Sequence, residues 1–359
     1  MDLAELLKYA VESGASDLHL TASRPPMVRI SGNLIPGGGD TELGPDDTKA
    51  LIYSILTDDQ KAKFEEEHEL DFSIGIPGIS RFRVNVFMQR GCVSGVFRTI
   101  GENIPSCEDL GLSEPIRQLA LLPRGLVLVT GPTGCGKSTT LAAMINLVNQ
   151  QKDGHIITIE DPIEFLHPHI RSTINQRELG YDTFSFPRAL KAVLREDPNV
   201  ILVGEMRDLE TIAAALTLAE TGHLVLSTLH TQDAAQTVDR IIDVFPHYQQ
   251  EQIRVMLAST LKGVVSQVLL PRVDGPGRVA AREIMVVTPA ISALIREGKT
   301  HQIYSAIQTG AGHGMCTMEK SLAELCQAGL ITEDDALSKA NHPQELRPMI
   351  AQRQHYKIQ

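Results

Sequence analysis

Eight consecutive residues, GPTGCGKS at positions 131–138, carry the densest chemistry in the chain. They satisfy G-x-x-x-x-G-K-[ST], the phosphate-binding loop, in full. Gly131, Gly134 and Gly136 let backbone N–H groups close around phosphate oxygens at a helix N-terminus. Lys137 adds a point charge for the β and γ phosphates, and Ser138 adds a hydroxyl for a magnesium shell. The expected ligand is Mg-ATP, bound by Gly131, Pro132, Thr133, Gly134, Cys135, Gly136, Lys137, Ser138 and Thr139. Cys135 occupies a free position of the loop, where Lys137 and oriented N–H groups should favour its thiolate. Two readings follow: a reactive thiolate whose oxidation would obstruct phosphate, or a serine-sized filler of the loop.

Downstream, NVILVGEMRD (199–208) has four apolar residues followed by Gly204 and Glu205, a strand whose carboxyl end presents an acid to magnesium and its waters. HIITIEDPIEF (155–165) ends another strand with Glu160, Asp161 and Glu164 around Pro162. Ligands of open α/β sheets bind at the carboxyl ends of strands, so these carboxylates are expected near the γ-phosphate, one of them activating water. TLAETGHLVLSTLHT (217–231) puts His223 before a buried strand and His230 after it. Both are expected to sense phosphate, with His230 nearer the nucleotide. No ligand spacing supports zinc binding by these two with His167 or His169.

The elements that must position these residues are short apolar strands at 125–130, 155–159, 200–203 and 224–228, separated by helical segments. Near-continuous apolar strands between helices imply a parallel sheet covered on both faces. Ahead of them helix and strand signals mix. Residues 4–11 read as a helix burying Leu3, Leu6, Leu7 and Ala10, and 17–20 and 27–30 read as strands. Thr57 and Gln60 form a capping box that opens a polar helix through Glu67. Residues 81–88 alternate, with Phe82, Val84, Val86 and Met88 on one face and Arg81, Arg83 and Asn85 on the other; a turn at Arg90-Gly91 and a second strand to Arg98 follow. The expected organisation is a small α+β domain over 1–100, a linker over 101–115, and an α/β domain over 116–359 with a helical C-terminal region.

The 359 residues contain 33 basic and 44 acidic side chains, so the net charge of −11 argues against a nucleic-acid partner. No apolar run approaches the ~20 residues of a membrane span, so no transmembrane segment is expected. The start, MDLAELLKYAVESG, carries Asp2 and Glu5 where a signal peptide needs positive charge. Five scattered cysteines without a C-x-x-C pair suit a reducing compartment, and a cytoplasmic location is expected.

Taken in order, these motifs resemble the secretion-ATPase superfamily and, within it, the type IV pilus retraction ATPases. The resemblance runs through GASDLHL (14–20), SRFRVNVF (80–87), GPTGCGKSTTLAAM, TIEDPIEF, NQRE (175–178), REDP (195–198), GEMRDLETI, AETGHLV and TLHT. It implies a RecA-like P-loop ATPase domain preceded by a PAS-like domain, a homo-hexameric ring, and ATP with Mg2+ as cofactors. It further implies that Lys137 binds phosphate, Glu164 is the catalytic base, Glu205 is the Walker B acid, and His223 and His230 form a His box. In such rings the N-terminal domain of one subunit packs on the ATPase domain of the next, and arginines complete the neighbouring site; Arg81, Arg83 and Arg98 are the candidates here.

The function implied is a motor for pilus retraction and twitching motility, docked on an inner-membrane platform protein and so peripheral at the cytoplasmic face of the membrane. Pilus-assembly and type II secretion ATPases usually carry a tetracysteine zinc insertion, which this sequence lacks. One segment departs from the retraction pattern: AISALIRE (290–297) stands where the family reads AIRNLIRE, with Ser292 and Ala293 replacing Arg-Asn. It still reads as a helix capped by Thr288, with Pro289 first, Ile291, Leu294 and Ile295 on one face, and Gly298 as stop. The departure makes an accessory retraction ATPase, working beside a paralogue, the alternative reading. A RecA-like nucleic-acid translocase is a further rival, disfavoured by charge.

Overall fold

Alternating side chains on six antiparallel strands build the first of two units in a computed structural model of the chain, which describes residues 2–30, 32–100 and 103–351. This unit comprises Met1–Asn103 with Glu164–Leu166; the second comprises Ile104–Ile163 with His167–Gln359. The elements of the first are α1 (Leu3–Glu12), β1 (Asp17–Leu20), β2 (Met27–Ile30), β3 (Asn33–Pro36), α2 (Pro45–Tyr53), α3 (Asp58–Glu67), β4 (Glu69–Ile76), β5 (Ser80–Gln89) and β6 (Cys92–Ile100). Their sheet order is β3-β2-β1-β6-β5-β4.

The apolar stripe of α1 packs with Ile52, Phe64, Phe82, Val84, Val86 and Phe97 in one core. Each such side chain contributes roughly 1.5–3 kcal/mol on burial. The Thr57–Gln60 capping box is present, with Gln60 N donating to Thr57 Oγ1 at 3.3 Å and Thr57 N to Gln60 Oε1 at 3.0 Å. Met88, expected on the buried face of β5, is 37% exposed at the strand's end beside the Arg90-Gly91 turn.

The second unit contains α4 (Glu114–Ala120), β7 (Gly125–Thr130), α5 (Lys137–Gln151), β8 (His155–Glu160), β9 (Thr173–Glu178), α6 (Phe186–Val193), β10 (Val200–Val203), α7 (Leu209–Glu220), β11 (Leu224–Leu229), α8 (Ala234–Asp243) and α9 (His247–Thr260). Beyond these lie β12 (Leu261–Pro271), β13 (Arg278–Val286), α10 (Pro289–Arg296), α11 (Ile303–Thr309), α12 (Met318–Gln327), α13 (Glu333–Lys339) and α14 (Pro343–Ala351). The sheet order is β13-β12-β7-β11-β10-β8-β9, parallel from β12 through β9 with β13 antiparallel at the edge.

Successive residues of the central strands feed opposite cores, as the apolar runs require. Leu126, Leu128, Ile157, Ile201 and Val225 enter one core, while Val127, Val129, Ile156, Leu202 and Leu226 enter the other. This is an α/β P-loop architecture in which four consecutive strands, β7-β11-β10-β8, aim their carboxyl ends the same way.

Candidate active site

The phosphate loop is the link from β7 to α5. Its glycines take backbone shapes that other residues rarely adopt: φ is +138° at Gly131, +76° at Gly134 and +87° at Gly136. A Cβ on Gly131 would sit 2.3 Å from the Gln267 carbonyl oxygen, so the loop packs directly on β12. Lys137 Nζ donates to the carbonyls of Gly131 and Pro132 at 2.9 and 3.1 Å, folding its charge back over the loop. Pro132, Thr133 and Gly134 are exposed, whereas Ser138 and Thr139 are half-buried on the first turn of α5.

Two strands away, Gly204 N donates to Ile159 O at 2.8 Å, which seats the end of β10 against β8 and sets Glu205 beside Glu160. Glu205 Oε1 receives Arg207 Nε at 2.7 Å and lies 3.0 Å from His230 Nε2, which projects past the end of β11. Burial pushes the Glu205 carboxyl up, but the Arg207 hydrogen bond and the charges of His230 and Arg207 outweigh it. The net shift is downward, and Glu205 is ionised at neutral pH. Thr158 Oγ1 donates to Glu160 Oε1 at 2.6 Å. Adjacent strands lie roughly 4.8 Å apart, so the loop, His230, Glu205 and Glu160 form a row along one edge of the sheet.

His223 is not in that row. It precedes β11 at the opposite edge, where its Nδ1 lies 3.0 Å from Leu218 O and its carbonyl accepts from Gly125 N at the start of β7. Six intervening strand residues at roughly 3.3 Å each span about 20 Å. Within one chain, then, His230 stands at the loop's edge of the sheet and His223 at the opposite edge. Cys135 takes the filler role. It is 3% exposed, and burial raises its thiol by more than Lys137 lowers it, so the side chain is a protonated packing residue and not a thiolate.

Glu164 is exposed and follows the buried Ile163; it belongs with the first unit. The three candidate arginines differ. Arg98 is committed to Asp17, with Nε 2.9 Å from Oδ1, and Arg29 flanks the same carboxylate at 3.9 Å. Arg81 is half-buried and donates to Ser73 Oγ. Arg83 is exposed and stands in register between Ser73 and Arg98.

Sequence reasoning passed over two residues at the loop, Gln267 and Arg278, and one beside Glu205, Arg207. Gln267 Nε2 donates to Cys135 O at 2.6 Å, and Arg278 Nη1 to Gly134 O at 3.4 Å. Both come from the β12–β13 pair, whose strand signals were not read. Arg207 lies two residues past Glu205 inside GEMRD and was legible as its partner.

A phosphate loop on an interior strand of a parallel sheet, with an ionised acid and a histidine at the neighbouring strand ends, defines a P-loop ATPase. Residues 71–276 match the family described as type II/IV secretion system protein. The chain is 52% identical over 349 residues to the type IV pilus retraction ATPase PilT of Pseudomonas aeruginosa, covering 96% of this chain and 99% of that one. It is 44% identical to the type IV pilus ATPase PilU of the same organism, covering 98% and 91%. Among solved structures, the pilus retraction motor PilT with bound ADP aligns over 97% of this chain and 99% of that one, at 49% identity and a TM-score of 0.89. The chain belongs to the type II/IV secretion system protein family, as a secretion ATPase.

Proposed function

We propose that this ATPase powers type IV pilus retraction, as a homo-hexameric ring that docks on an inner-membrane platform protein from the cytoplasmic side. The observation that carries the reading is the row of loop, His230 and Glu205 along one sheet edge, in a chain similar to PilT over nearly its whole length. Lys137, now hydrogen-bonded to its own loop, would turn to the β and γ phosphates on nucleotide binding. Glu205, kept ionised by Arg207, and His230 flank the space where the γ-phosphate charge changes. Glu164 is the proposed base that orients and deprotonates water, and Arg81, Arg83 and Arg98 are proposed to act in the neighbouring subunit's site. For Arg98 that role requires release from Asp17.

Magnesium fits this donor set. Ser138 is half-buried on the first turn of α5 and Glu205 is ionised past the end of β10, one hydroxyl and one carboxylate for a metal ion. That is the pattern of an ion bound through one or two protein oxygens, phosphate and water. Bound there, it would neutralise charge on the transferred phosphoryl group.

The accessory reading rests on Ser292. Its hydroxyl donates to Ala258 O at 2.7 Å and ties α10 to α9, where the retraction pattern has arginine. A paralogous retraction ATPase is therefore a proposed further partner; no nucleic acid is proposed.

The test is Mg-ATP hydrolysis against protein concentration, with Lys137→Ala and Glu164→Gln alongside. Turnover per chain should rise as rings assemble and fall by at least about a hundredfold in each variant. Turnover independent of concentration would refute shared sites. Full activity in Glu164→Gln would remove that residue as base.

A further inference from the structure

Gln267 is a polar side chain in the middle of a strand, 1% exposed, beneath the phosphate loop. Its strand neighbour Ser266 pairs in register with Thr130, the last residue of β7, so Gln267 arrives where the loop departs. Its amide bridges two parts of the loop–helix junction. Nε2 donates to Cys135 O at 2.6 Å, and Oε1 accepts from Thr140 Oγ1 at 2.9 Å. A carbonyl only accepts, so the amide orientation is fixed by its partner.

We infer that Gln267 is a positioning residue for ATP binding, holding the Cys135–Gly136 peptide with its carbonyl turned toward β12 and its N–H turned toward the phosphate. The reason is planarity: in a trans peptide the C=O and the following N–H point in opposite directions, so anchoring one oxygen aims the next amide. Were this peptide to rotate, the loop would present a carbonyl oxygen to an anion in place of a donor. Glycine at 136, with φ at +87°, leaves rotation sterically open, so the hydrogen bond must oppose it. The second arm, on Thr140 one turn into α5, fixes the loop relative to the helix whose N-terminus faces phosphate. Gln267 touches no reacting atom.

This role rests on the reading of residues 131–138 as an ATP site, and the experiment separates the two. Mg-ATP affinity and turnover are measured for the full chain, Gln267→Glu and Gln267→Met at about pH 8 and about pH 6, with circular dichroism to verify folding. The glutamate carboxylate is nearly isosteric but cannot donate to Cys135 O, so affinity at the higher pH should fall about tenfold or more. As pH falls the buried carboxyl takes up a proton, regains a donor, and should recover affinity relative to the parent. The methionine variant should show a loss that does not depend on pH, and both variants should raise KM more than they lower kcat.

Parent-like affinity at about pH 8 in either folded variant would overturn the inference. So would a glutamate deficit that follows the methionine deficit at both pH values, the behaviour of a packing residue. A parent chain without affinity for Mg-ATP would remove both this role and the reading beneath it.

Discussion

Glu283→Gln should stabilise this protein in base and leave it nearly unchanged in acid. Glu283 sits on β13 with 1% exposure; Oε1 accepts from Ala234 N at 2.8 Å, and Oε2 has no hydrogen-bond partner among the described residues. Burial pushes its carboxyl from 4.5 up to about 7, opposed by the Ala234 amide, reinforced by the charges of Asp233 and Glu319, and opposed a little further by the Met318 amide beyond hydrogen-bond geometry. The folded chain therefore holds this proton up to about pH 7, whereas the unfolded chain releases it near 4.5. The contribution to stability is complete below pH 4.5 and is lost as pH rises through 7. Between these values it falls by ~1.4 kcal/mol per pH unit, or roughly 3 kcal/mol in all. Glutamine keeps an acceptor for Ala234 and never ionises. Thermal unfolding followed by circular dichroism should give similar midpoints for parent and variant at about pH 5, and a higher midpoint for the variant at about pH 8. A midpoint difference that stays constant with pH would refute the assignment of a buried, proton-holding carboxyl.

Two further outcomes follow from the loop. Gly131→Ala should weaken Mg-ATP binding more than about tenfold, measured by titration, because the added methyl meets Gln267 O at 2.3 Å and Cys135 Sγ at 2.7 Å in a backbone shape alanine resists. Parent and Cys135→Ser should lose activity to hydrogen peroxide at the same rate, since a buried, protonated thiol reacts slowly; faster loss in the parent would restore the thiolate.

What the sequence made legible was whatever is decided locally. The strand before the loop, the helix after it and the acid at the end of β10 each follow from a run of apolar residues and the residue types that close it. The Thr288 cap and the Gly298 stop of α10 are local in the same way: Thr288 Oγ1 accepts from Ile291 N at 3.4 Å, and Gly298 takes φ +69°. The separation of His223 and His230 is legible in the same way, since a strand of six residues carries its two ends to opposite edges of a sheet. For Cys135 the nearby lysine is visible in sequence and the burial is not, so thiolate and filler stand side by side until the fold separates them.

The β12–β13 pair shows where local reading stops. Within LKGVVSQVLLP the polar Ser266 and Gln267 sit side by side, which breaks both the alternation of a half-buried strand and the apolar run of a buried one. Both are buried because each has a partner more than a hundred residues away: Ser266 with Thr130 at 2.8 Å, Gln267 with Cys135 and Thr140. A buried polar side chain is tolerated only where its hydrogen bonds are met, and those partners exist only once β12 lies beside β7. Across the hairpin, Arg282 likewise reaches distant chain, donating to the carbonyls of Leu110 and Gly111 at 2.9 and 3.3 Å, and Glu283 meets the N-terminus of α8 through one oxygen. Polar residues that look misplaced in a strand therefore mark where the chain joins distant parts of itself, and in this protein one such junction lies directly under the phosphate loop.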